Sequence, residues 1–220
     1  LIGPRINAGG RIGDAALGAR LLLCDDEIEA TRIAGELDRL NGERQAIEQG
    51  MVAEAEAQAL HALGLDEEGA PVVMVGSDGW HPGVVGLVAA RMKERFRRPA
   101  FALAYGPDGT GTGSARSIPG VDLGRAVRAA VEQGLAQKGG GHAMAAGVTV
   151  TRDEVPALAA FMADRLGLEI ERARADQSLA IDAAITASGA RPELLARLEQ
   201  AGPFGSGHPE PVFALPAHRL

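Results

Sequence analysis

The longest regular pattern in the chain is helical. Between Ala15 and about Gly64 the apolar residues Ile33, Leu37, Leu40, Ile47 and Met51 fall in multiples of three- and four-residue steps, on a segment otherwise rich in charge. The spacing predicts a short helix around Leu17 to Cys24 and then a long one, with Asp25-Asp26 as capping residues. One narrow apolar stripe on an acidic rod suits a connector that leans on a body. A coiled coil with a partner helix is the other use of such a stripe, and Gly35, Gly42 and Gly50 weigh against it.

At Pro71 the pattern changes to alternating short elements. Val72 to Val75 reads as a buried strand, Gly83 to Phe96 as a helix stopped by Pro99, Phe101 to Ala104 as a second strand, and Gly111 to Ser117 as a third paired to it through a turn at Gly106 to Gly109. Asp122 caps a helix running to about Gln137; Val148 to Val150 is a strand and Asp153 to Leu166 a helix. This βαββαβα order predicts a layered α/β domain. Beyond Gly167 the reading is a strand within Ser178 to Ile185, a helix from Arg191 to Gln200, a loop from Gly202 to Pro211 and a strand from Val212 to Leu215. The expected organisation is therefore residues 1–68 as an opening loop and long connecting helix, 69–170 as the α/β domain, and 171–220 as the start of a further, truncated domain. The chain begins on Leu1 with a motif almost at once, which predicts a piece of a longer protein.

Composition adds restrictions. Hydrophobic residues make up 46% and aromatic ones 3%, so the core is aliphatic and platforms for stacking bases are few. A single cysteine, Cys24, excludes an internal disulfide, reads as a buried thiol in its apolar run and favours a reducing cytoplasm. No apolar run reaches membrane-spanning length. The net charge of −7 is uneven: residues 25–68 hold three basic and thirteen acidic residues, whereas 69–150 hold nine basic and five acidic. The glycine-rich middle is thus locally positive, as a phosphate-binding face would be and as mixed solvated surfaces also are.

Four polar, glycine-bearing stretches are candidates for chemistry. In Gly139-Gly140-Gly141-His142-Ala143-Met144-Ala145-Ala146-Gly147 three bare residues free the backbone to curl its N–H groups round an anion beside a histidine; a plain turn before a strand is the competing reading. The opening Gly3 to Asp14 has too many breakers for a regular element and reads as a shaped loop offering Arg5, Asn7 and Arg11 to phosphate, or as an irregular terminus. Gly113 to Ser117 presents Arg116 as a planar fork between Ser114 and Ser117, unless Arg116 is an ordinary surface arginine. Gly76 to Gly83 carries His81, either over a ligand or in packing. Missing are GxxxxGK[ST], a strand-linked GxGxxG, GxSxG, HxH and HExxH. The chain can grip phosphate and shows no means of activating water.

Taken together, the stretches GPRINAGGR (3–11), WHPGVVG (80–86), GSARS (113–117), GGGHAMAAG (139–147) and PFGSGHPEPVF (203–213) resemble, in this order, the carboxyl-side half of RecJ-type single-strand-specific exonucleases of the DHH phosphoesterase superfamily. The commonest form of the first motif has Ala where Gly10 stands. The resemblance implies a 5′→3′ exonuclease acting in the cytoplasm in recombination and repair. Single-stranded DNA would be its substrate, single-strand-binding protein and helicases its partners, and a monomer its working form. It implies two Mn2+ or Mg2+ ions held by an amino-terminal domain absent here, with no metal in this chain and no activity from it alone. It further implies that residues 69–170 form the DHH-associated domain, and that 171–220 begin an oligonucleotide-binding domain. Arg116 and Ser114 would hold the 5′ end or backbone phosphates. His142, with the amides of Gly140 and Gly141, would contact the scissile phosphate, and Arg5, Asn7 and Arg11 would line the interdomain groove. A small-nucleotide phosphodiesterase, cutting oligoribonucleotides or cyclic dinucleotides, and a non-catalytic RNA-binding module are the alternatives.

Overall fold

Glycine and proline do not prevent a helix at the start of the chain. The computed structural model describes residues 2–64, 69–175, 179–205 and 207–216, and Ile2–Ile12 form α1 where a loop is expected. The cause is packing. Pro4 lies in the first turn, where N–H groups have no intrahelical acceptor. Gly9 and Gly18, the latter in α2 (Ala16–Leu22), are sites of close approach: a methyl group on Gly9 would lie 2.5 Å from the Asp14 carbonyl oxygen, and one on Gly18 2.8 Å from that of Ile6. A glycine costs a helix about 1 kcal/mol. Burial of Leu17, Ile33, Leu37 and Leu40 against Ala8 outweighs that, at about 1.5–3 kcal/mol per large side chain.

The long helix α3 spans Glu27–Leu63 without a break. Asp26 caps it, accepting the Glu29 N–H at 2.8 Å. Gly35, Gly42 and Gly50 face open space, so they weaken the helix without interrupting it. Ile33, Leu37, Leu40 and Met51 are buried as the stripe predicts. Three polar residues share that stripe: Asn41, Arg44 and Glu48 are at most 9% exposed. The Leu21 to Cys24 run is not core. Leu22 and Leu23 are exposed, and Cys24 is half-buried with its thiol donating to the Asp26 carbonyl at 3.3 Å, so the expected buried thiol is not found.

Strands β1 (Val73–Ser77), β2 (Ala100–Tyr105), β3 (Thr110–Arg116), β4 (Lys138–His142) and β5 (Ala145–Thr151) form one sheet in the order β1-β2-β3-β5-β4. The β1–β2 pair is parallel and the others are antiparallel. Helices α4 (Val85–Phe96), α5 (Leu123–Glu132) and α6 (Val155–Ala175) complete the layers. The layered α/β class is as expected, with one strand more. The triple glycine is strand β4, paired with β5 through Gly140↔Gly147, and not a loop that curls its amides round an anion. The preceding helix also ends earlier than expected, at Glu132, with Gly134 at φ +73° turning the chain.

Side chains alternate across the strands. Phe101, Leu103, Ala115, Val148 and Val150 face α5 and α6, packing on Leu123, Val127, Leu158, Met162, Leu166 and Ile170. Val73, Val75, Ala100, Ala102 and Ala104 face α3 and α4, meeting Met51, Val85, Val88 and Met92. Alanine at every second position of β2 lets α4 close on the sheet, but α4 reaches only as far as β3. Where it ends, Thr112 of β3 and Gly147 of β5 are exposed on that same face. The outer edge of β1 is occupied by α3: the Gln58 side-chain amide accepts the Gly76 N–H at 3.0 Å and donates to the Gly76 carbonyl at 3.2 Å.

Residues 1–175 form one compact unit and 176–220 a second. In the second, two-residue strands β6 (Ala183–Ala184) and β7 (Phe213–Ala214) pair in parallel, with α7 (Pro192–Glu199) between them in sequence. The strand expected within Ser178 to Ile185 is thus short, and Ser178 itself lies outside the described residues.

Candidate functional site

The uncovered half of the sheet is where polar side chains gather. Rows across the strands follow from the register: Ala145 pairs with both Arg116 and His142, and Gly147 with both Ser114 and Gly140. Arg116 and His142 therefore stand on one face, two strand spacings or about 10 Å apart. Only the methyl group of Ala145 lies between them in that row. The next row, Ser114, Gly147 and Gly140, has almost no side chain; a methyl group on Gly140 would touch nothing. The row after that brings Thr112, Thr149 and Lys138. The result is a bare floor with a guanidinium, hydroxyl groups, an imidazole and an ammonium around it.

Arg116 ends β3 and reaches toward the start of α4. A methyl group on Gly86 would lie 3.0 Å from Arg116 Nη2 and 3.4 Å from Ser114 Oγ, so α4 can approach these side chains only because residue 86 has none. Arg116 Nη1 donates to the Ala115 carbonyl at 2.9 Å. Burial, and then the charge of Arg11, lower its pKa below the ordinary arginine value. It still carries its charge at neutral pH. Among the described residues neither Arg116 nor Arg11 pairs with a carboxylate; Arg11 Nη1 has a long contact of 3.4 Å to the Gly83 carbonyl. Two guanidiniums near the first turn of α4, at the positive end of that helix, make this part of the site cationic.

The other expected residues divide. Arg11 joins the site because the end of α1 rests on the turn before α4: a methyl group on Gly83 would lie 1.9 Å from the Arg11 carbonyl oxygen. Asn7 is one helical turn away from Arg11, exposed, in the same cleft. His81, in that turn, accepts the Gly83 N–H on Nδ1 at 3.0 Å. His142 accepts the Met144 N–H on Nδ1 at 3.3 Å and is exposed. In both neutral rings the proton is thereby placed on Nε2, a donor pointing away from the backbone. Arg5 is elsewhere, on another side of α1, and pairs with Asp38 at 2.6 Å. Ser117 is 1% exposed and its hydroxyl donates to the Val121 carbonyl at 2.8 Å, so it braces the chain and cannot face a ligand. Gly139 and Gly141 serve packing: methyl groups there would lie 2.6 Å from Val127 Cγ1 and 2.2 Å from the Ala145 carbonyl oxygen.

Sequence reading missed Gly86 and Gly124, whose signal is only that a helix tolerates them. A methyl group on Gly124 would lie 2.8 Å from the carbonyl oxygens of Gly141 and His142, so α5 begins flat against the end of β4. It also missed Arg128, whose Nη1 donates to the Gly141 carbonyl at 2.8 Å. No group of three or more His, Cys, Asp or Glu residues among the described residues is placed to hold a metal ion, so the residues present do not fit the divalent ions that the resemblance implies. No helix of the described residues is long and apolar enough to cross a membrane.

Residues 69–167 match the DHHA1 domain and residues 181–220 the RecJ OB domain. The chain is 38% identical to the single-stranded-DNA-specific exonuclease RecJ of Dickeya dadantii over 226 residues and 37% identical to that of Thermus thermophilus over 217. These alignments cover 96% and 97% of this chain, which spans 37% and 30% of the two relatives. Among solved structures, RecJ of Thermus thermophilus in complex with Mg2+ superposes with a TM-score of 0.76 at 33% identity, covering 96% of this chain and 32% of that one. An exonuclease RecJ bound to manganese superposes with a TM-score of 0.64 at 35% identity, covering 78% of this chain and 41% of that one. The chain belongs to the RecJ family, of whose length it represents the stretch with the DHHA1 and RecJ OB domains.

Proposed function

We propose that this chain is the substrate-gripping part of a single-strand-specific 5′→3′ DNA exonuclease that serves recombination and repair. The observation that carries the reading is the shared, uncovered sheet face on which Arg116 and His142 stand two strands apart. A DNA strand laid over the bare floor meets Arg116 and Ser114 with its 5′ end or a backbone phosphate. It meets the Nε2–H of His142 at the phosphate to be cut, where a positioned donor stabilises developing negative charge. Arg11 and Asn7 of α1 continue the contact toward the groove. The floor must be bare, because a chain of sugar and phosphate lies close to it. The amides of Gly140 and Gly141 have no curled form here; Gly140 contributes by the absence of a side chain on the floor, and Gly141 by close packing.

Residues 69–170 then act as the DHH-associated domain and 171–220 as the beginning of an oligonucleotide-binding domain. Divalent ions, Mn2+ or Mg2+, would be held by residues outside this chain and would supply the activated water. Residues 1–220 alone would not cleave DNA. Cleavage by this stretch in the presence of Mn2+ overturns that division of labour.

The reading is tested at Arg116 in the whole exonuclease. Arg116→Ala weakens binding of single-stranded oligonucleotides, and a plot of log affinity against log salt becomes shallower by about one phosphate contact. Fluorescence anisotropy over a salt series measures it. An unchanged slope removes Arg116 from the phosphate contacts.

A further inference from the structure

Two arginines one turn apart on α5 are treated differently by the fold. Arg125 is neutralised by Glu169 of α6 at 3.1 Å. Arg128, also exposed, meets no carboxylate among the described residues and donates Nη1 to the Gly141 carbonyl oxygen at 2.8 Å. That carbonyl belongs to the peptide bond joining Gly141 to His142. Its position matters because β4 is the free edge of the sheet, has a single neighbouring strand, and includes three residues with no side chain to lock it in place. Gly141 sits at φ +153°, a conformation that an ordinary residue rarely holds.

The turn beyond is tied by the Met144 N–H donating to His142 Nδ1 at 3.3 Å and by backbone bonds from neighbouring elements. Leu123 N–H donates to the Ala143 carbonyl at 3.1 Å and Ser117 N–H to the Met144 carbonyl at 3.0 Å. Those bonds fix residues 143 and 144. The peptide plane just before His142 is held by the pairing of His142 with Ala145 in the ladder and, at the Gly141 carbonyl, by a charge-assisted bond from Arg128, one of the stronger kind.

We infer that Arg128 is a positioning residue for His142, holding the Gly141–His142 peptide so that the imidazole is aimed across the sheet face. The inference rests on the role of His142 proposed above. Arg128 itself touches the strand's carbonyl and not the bare floor, so its loss disturbs aim and not grip.

The test is steady-state kinetics of the whole exonuclease on a 5′-phosphorylated single-stranded oligonucleotide. Arg128→Ala lowers kcat about tenfold, less than the hundredfold of a full 1 Å misplacement, while KM and its salt dependence stay near wild type. Arg128→Gln, which keeps a donor without the charge, recovers most of the loss. In a His142→Ala background Arg128→Ala has no further effect, because there is nothing left to aim. A rise in KM with a shallower salt slope makes Arg128 a DNA contact and overturns the inference; so does a full additional loss in the His142→Ala background. If His142→Ala alone leaves kcat unchanged, the failure lies in the reading of His142. If His142→Ala lowers kcat and Arg128→Ala does not, the failure is that of the positioning role alone.

Discussion

Replacing His142 by alanine in the whole exonuclease lowers turnover of single-stranded DNA about a hundredfold or more, the loss that follows removal of one transition-state donor. The expectation is specific because the imidazole has little else to do. It is exposed at the end of an edge strand, so its removal costs little packing. Its Nδ1 is occupied by the Met144 N–H, which leaves Nε2 as the donor for a substrate oxygen. Binding measured in the ground state should change far less than turnover, since the donor's contribution grows as charge develops on the phosphate. Single-turnover cleavage separates the two. A rate equal to wild type would take His142 out of the chemistry and leave the sheet face as a binding surface only.

A second large effect is expected within the stripe of α3, at residues that line the cleft shared with Asn7 and Arg11. Arg44 donates to Glu48 and, through Nη2, to Asn41 at 2.9 Å, while Arg91 of α4 donates to Glu48 at 3.2 Å. Arg44 Nε is buried with no hydrogen-bond partner. One carboxylate thus serves two guanidiniums, one of them deeply buried. Glu48→Ala leaves Arg44 as an uncompensated buried charge and destabilises the protein by about 3–5 kcal/mol, read from the denaturant midpoint. The paired substitution Arg44→Met with Glu48→Leu removes the charge and its partner together and should be close to neutral or stabilising. If Glu48→Ala were as stable as wild type, the network would be exposed to water in solution.

Much of this was legible from sequence, for a physical reason in each case. The 3.6-residue period of Ile33, Leu37, Leu40 and Met51 persists because one side of α3 meets other elements along its length. The hairpin between β2 and β3 was legible because its turn is chemical: Asp108 accepts the Thr110 N–H at 3.0 Å, and Gly109 takes φ +76°. Strand β4 was not, since three glycines carry no alternation to read. What makes them a strand is pairing with β5, with the side chain of Val127 filling the space where one on Gly139 would be. Helix α1 was hidden in a related way, Gly9 acting as a point of contact and not as a break. Arg116 and His142 were visible as residues, but their common face depends on register and on where α4 stops covering the sheet. Arg44 and Glu48 were indistinguishable from the other charges of an acidic rod until packing buried them.

The side-chain amide of Gln58 satisfies both backbone groups of Gly76, standing in for a sixth strand. This margin of the sheet is closed to further pairing at Gly76, and an extension of the ladder finds its place at the opposite margin, at the glycines next to His142. An incoming extended backbone would dock beside the imidazole, where Lys138 is the one cationic side chain of that strand to discourage it.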